Sequence, residues 1–65
     1  MGKFRTCQSK IITCDGELII FEYKSFYPIG SRGNWLDFVW RAENNLDVPV
    51  QNPNYVESVY IKYLD

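Results

Sequence analysis

Asp15-Gly16 stands between two stretches of strand character, and no other pair of residues restricts the fold of this chain as much. Both central positions of a type I′ turn need positive φ, which Asp-Gly tolerates, so the pair predicts a two-residue β-hairpin. Such a turn sets the register: Cys14 faces Glu17, Ile12 faces Ile19, Lys10 faces Phe21 and Gln8 faces Tyr23. One face of the hairpin then carries Ile12, Ile19, Phe21 and Tyr23, and the other carries Ile11, Leu18 and Ile20. Because both faces are partly apolar, one is expected to meet the core and the other to be covered near the turn by a loop or a partner. Farther from the turn, Thr6, Gln8, Ser9, Glu22, Lys24 and Ser25 predict a solvent-exposed or edge region.

After the hairpin, Tyr27-Pro28-Ile29-Gly30-Ser31-Arg32-Gly33 reads as a loop, marked by one proline and two glycines. Asn34 is placed to cap a helix over about residues 35–45, with Asp37 favourable to its dipole and able to pair with Arg41 one turn on. Trp35, Phe38, Val39, Ala42 and Leu46 share a stripe suited to packing on a sheet. Trp40 falls on the opposite, polar side, either tucked under the connection 47–54 or offered to a partner. That connection carries Pro49 and Pro53 and should bend sharply. Tyr55–Leu64 follows as a strand, with Tyr55, Val59, Ile61 and Tyr63 on one face and Val56, Ser58, Tyr60, Lys62 and Leu64 on the other. The fold class is therefore α+β: a small β-β-α-β domain spanning residues 1–65, its N-terminal hairpin and C-terminal strand in one sheet with one helix packed on one face. The last strand fits beside either the first or the second.

A chain of 65 residues buries only about 60% of the surface its unfolded form exposes, so large side chains, a staple or a partner must supply the remainder of its stability. Four Phe, five Tyr and two Trp supply the first. A staple is not expected, since Cys7 and Cys14 on one extended strand would lie about 23 Å apart. Free thiols, with no signal-type apolar run and no transmembrane stretch, point to a cytoplasmic protein. The opening Met1-Gly2-Lys3-Phe4-Arg5-Thr6 matches a myristoylation pattern at Gly2, although a strand that begins early accounts for the same residues.

The chain has no histidine, and its Asp and Glu side chains sit where turns, caps and strand faces leave them solvated. Catalysis, a metal and a cofactor are accordingly not expected. Formal charge is −1, with a mildly basic N-terminal half and an acidic C-terminal half, which argues against a duplex-DNA footprint. Gly30, Ser31, Arg32 and Gly33 ahead of the helix form a candidate anion site, because converging backbone N–H groups and a helix N-terminus favour negative charge. Trp40, Arg41, Tyr27, Arg32 and Tyr60 are the candidate protein-binding residues, being of the types that dominate binding hot spots. The expected function is stoichiometric binding of a larger protein, as an inhibitor or modulator of the kind phages and mobile elements encode, with a second copy of the chain as a further partner. The alternative is a binder of single-stranded nucleic acid that stacks bases on Phe4, Phe21 and Tyr23 beside Lys3, Arg5, Lys10 and Lys24.

Overall fold

In the computed structural model, which describes residues 3–46 and 49–65, the elements run β1 (Arg5–Thr13), β2 (Leu18–Ser25), α1 (Arg32–Asn45) and β3 (Val56–Tyr63). The lipidation pattern at Gly2 and the first two residues of the connection 47–54 lie outside the described residues. The three strands form one antiparallel sheet in the order β2-β1-β3, so the last strand settles beside the first, and β1 is central.

The hairpin forms, but its register differs from the expected one by one residue. Ile12 pairs with Leu18, Ile11 with Ile19, Ser9 with Phe21 and Cys7 with Tyr23. The loop is three residues long: Thr13 N donates to Glu17 O at 3.0 Å, and Gly16 N donates to Thr13 O at 3.0 Å. Thr13 Oγ1 donates to Asp15 Oδ1 at 3.0 Å and accepts from Glu17 N at 2.9 Å, which organises this longer loop. Gly16, the last residue of the loop, takes the positive φ (85°) that glycine adopts without steric cost.

A one-residue slip decides which side chains meet the helix. Cys7, Ser9, Ile11 and Thr13 share the helix side with Ile19, Phe21, Tyr23 and Ser25, while Gln8, Lys10, Ile12, Leu18, Ile20, Glu22 and Lys24 take the other. The two-residue turn would have put Lys10 and Gln8 beneath α1. Hence Ser9 and Ser25, expected near solvent, are buried, and Leu18 and Ile20, expected to be covered near the turn, stay 55% and 51% exposed.

α1 begins three residues earlier than expected, and Ser31 rather than Asn34 is its N-cap. The Ser31 hydroxyl accepts from Asn34 N at 3.2 Å and donates to Pro28 O at 2.6 Å. Phe38, Val39 and Ala42 bury as the helical spacing predicts and pack with Cys7, Ile11, Tyr23 and Val50. Trp35 and Leu46, placed on the same stripe by sequence, lie at its margins and are about a third exposed. Asp37 does not pair with Arg41; it accepts from Ser25 Oγ at 2.7 Å, tying α1 to the end of β2.

In β3, Val59, Ile61 and Tyr63 turn toward the helix side as expected. Val56, expected with Ser58 on the other face, joins them, because the ladder shifts register between Ile12 and Thr13 and leaves Glu57 as an extra residue. Both cysteines are free, Cys7 buried and Cys14 exposed. Among the described residues no helix is long and apolar enough to cross a membrane.

Candidate functional site

The candidate surface depends on how α1 is held against the sheet, and a buried polar cluster holds it. Asn34, a poor helix former, sits fully buried in the first turn of α1. Its Oδ1 accepts from the Tyr23 hydroxyl at 2.5 Å, and its Nδ2 donates to Tyr27 O at 2.9 Å and to Cys7 Sγ at 3.7 Å. Strand β2, strand β1 and the loop ahead of the helix therefore meet at one amide. Burial, with Cys7 beside it, raises the Tyr23 phenol well above the ordinary tyrosine range. The Tyr23 phenol thus keeps its proton and stays a fixed hydrogen-bond donor to Asn34.

Fixed in this way, α1 lies over the β2 side of the sheet and turns Trp40 outward, 66% exposed. Leu36, one turn earlier on the same helix face, is exposed beside it. Between α1 and the β2 edge runs a groove of about 380 Å³ lined by Thr6, Glu22, Tyr23, Lys24, Asp37, Trp40 and Arg41. An exposed indole flanked by Glu22, Lys24 and Arg41 has the form of an aromatic anchor with a charged rim.

The other sequence candidates are dispersed. Arg41 lines the Trp40 groove, but Arg32 belongs to a second groove on the far side of α1, about 550 Å³, shared with Ile29, Gly30, Ser31, Trp35, Val59 and Ile61. Tyr27 is half-exposed and has a packing role: its ring lies over Gly33, where a Cβ would come within 2.5 Å of Tyr27 Cγ. Tyr60 stands on the open sheet face between Lys10 and Lys62, well away from Trp40. Of the candidate anion site, Ser31 is engaged as the helix cap and Gly33 is covered by Tyr27, which leaves Gly30 and Arg32 facing the second groove.

Among the aromatics proposed for base stacking, Phe21 lies on the helix side, stacked on Phe38 with ring centroids 5.7 Å apart, and Tyr23 is buried. Phe4 is exposed and packs edge-on against Phe26 at 5.3 Å. At the same end of the sheet Arg5 lies 3.6 Å above the Tyr63 ring and pairs with Asp65 at 3.1 Å. Hydrogen bonding from Thr6 N, reinforced by Arg5, lowers the Asp65 carboxyl below its usual range. This is the one ion pair among the described residues.

Sequence reasoning overlooked Glu22 and Lys24 as members of the groove, and Leu36 as an exposed neighbour of Trp40 on the helix. Leu36 was recoverable from its spacing of four residues from Trp40; Glu22 and Lys24 join only because α1 settles on the β2 edge. Among the described residues no cluster of three or more His, Cys, Asp or Glu is arranged to hold a metal. Comparison with known proteins finds no matching family model, no similar curated protein and no similar solved structure.

Proposed function

We propose that the chain is a non-catalytic protein-binding domain that docks on a larger protein through the groove between α1 and β2 and modulates it stoichiometrically. The observation that carries this reading is Trp40: a tryptophan two-thirds exposed on a well-anchored helix, beside an apolar neighbour and a rim of charges. Large aromatic side chains left outside a core are costly to solvate, and at interfaces they account for a disproportionate share of binding energy. A rigid helix also presents the indole with little ordering entropy to lose on docking. Stacking of single-stranded nucleic acid is the weaker reading, because two of its three rings, Phe21 and Tyr23, lie under α1.

The test is Trp40→Ala. The folded spectrum and the unfolding midpoint are expected to stay close to those of the parent chain, since the indole is mostly outside the packed interior. Retention of a specific partner from source-cell extract on the immobilised chain is expected to fall by at least about 30-fold, the equivalent of about 2 kcal/mol. If the variant unfolds, or binds the same partner undiminished, the groove is not the docking site.

A further inference from the structure

The two edges of the sheet are not equivalent. Leu64 N donates to Thr6 O at 3.0 Å, so the even-numbered residues of β3 bond to β1, and the odd-numbered ones, Val59, Ile61 and Tyr63, point their backbone groups away from the sheet. Among the described residues, no backbone partner meets Val59 or Ile61 on that side. On β2 the same alternation turns Leu18, Ile20, Glu22 and Lys24 outward, so charged side chains guard half of that edge. On β3 the outward positions Val59 and Ile61 are aliphatic, and α1, set over β2, leaves a groove above them.

We infer that β3 pairs with β3 of a second copy of the chain, antiparallel, about a two-fold axis at Tyr60, joining two three-stranded sheets into one. The alternation allows only registers in which odd residues face odd residues in hydrogen-bonded pairs. The register centred on Tyr60 uses nearly the full strand and sets Val59 opposite the second copy's Ile61, aliphatic against aliphatic on the helix side. It sets Lys62 opposite the second copy's Ser58 and brings the two Tyr60 rings together on the open face, so no like charges oppose one another. Moving the register by two residues one way places Ile61 opposite Glu57, and the other way shortens the overlap. The β2 edge offers no comparable match, because its central self-pairing opposes Ile20 to Glu22.

The seam is short. Eight residues extend about 26 Å, so strand pairing alone falls well below the roughly 800 Å² per partner of a standard interface. The dimer is therefore a reversible one that forms with rising concentration. It occupies the opposite edge of the sheet from the Trp40 groove, so this inference and the docking assignment stand or fall separately.

Sedimentation of the native chain tests the association: the mass is expected to rise from 7.7 kDa toward twice that between about 10 µM and 1 mM. Tyr60→Lys, at a position 59% exposed, opposes two ammonium groups on the axis and also faces Lys10 within its own chain, so its folded spectrum is checked alongside; the folded variant is expected to stay at a single mass throughout. The register is tested by Tyr60→Cys in a Cys14→Ser background. A non-hydrogen-bonded antiparallel pair sits about 4.5 Å apart at Cα, within disulfide range, so mild oxidation should link two chains at least tenfold faster than the same experiment with Ser58→Cys. A single-chain mass for the native protein at 1 mM, an unchanged dimer in Tyr60→Lys, or equal cross-linking at positions 58 and 60 would each overturn the inference.

Discussion

Asn34 shows how one residue can outweigh its own propensity. An amide in the first helical turn is an indifferent helix former, yet its three hydrogen bonds join β1, β2 and the pre-helix loop where no apolar side chain could satisfy Tyr23 and Tyr27 O. The Tyr23 phenol in this cluster has a testable consequence. Its folded-state ionisation is raised above the ordinary value of 10.0, mainly by burial. Above about pH 10 the unfolded chain therefore releases a proton that the folded chain retains, and stability falls with rising pH; below pH 10 this contribution is fully present. Tyr23→Phe is expected to cost about 1–3 kcal/mol at pH 7, because Asn34 Oδ1 loses its donor, and to flatten the decline between pH 10 and 11.5. Urea midpoints across that range decide it, and parallel alkaline slopes in the two proteins would show that Tyr23 is not the group responsible.

Among the elements, the start of α1 depends on Tyr27 as much as on the helix's own residues. Gly33 lies in the first turn, where alanine would favour the helix by roughly 1 kcal/mol, but the added methyl would meet the Tyr27 ring at 2.5 Å. Gly33→Ala is expected to lower stability by about 1–2 kcal/mol in the parent chain and to raise it in a Tyr27→Ala background. Denaturant unfolding of the four proteins in this cycle measures the coupling, and additive effects would mean that the ring does not constrain Gly33. Much of this helix was legible in the sequence: the spacing of Phe38, Val39 and Ala42 picks out its buried face, and the outward position of Trp40 follows from the same period. Its first residue was not, because Ser31 and Asn34 are both good caps. The competition is settled by the buried partners that Asn34 finds in Tyr23 and Cys7.

In a molecule of 40 × 20 × 18 Å, one helix covers one face of a three-stranded sheet and leaves the second face and both edges open. Exposed Leu18, Ile20 and Tyr60 on that open face follow from having a single helix to cover three strands. A small domain of this kind gains measurably from anything that binds only its folded form. The melting temperature of the native chain is therefore expected to rise by a few degrees between about 10 µM and 1 mM, while Tyr60→Lys melts at one temperature throughout. Scanning calorimetry at the two concentrations distinguishes them; a concentration-independent midpoint in the native chain would speak against self-pairing.

Local signals set the elements and their order: a turn at Asp15-Gly16, a glycine- and proline-marked loop, an amphipathic helix and a final alternating strand, all written in interactions a few residues long. Long-range packing chose the hairpin register, the helix cap, the neighbour of β3 and how far Trp40 and Tyr27 stay uncovered. The physical reason lies in the hairpin itself. Its strands carry apolar residues on both faces, so two registers one residue apart look alike locally, and Asp-Gly serves a two-residue or a three-residue loop. The choice is made by what α1 can cover: Ile11, Ile19 and Tyr23 go beneath it, Lys10 and Gln8 stay outside, and Trp40 is left facing solvent.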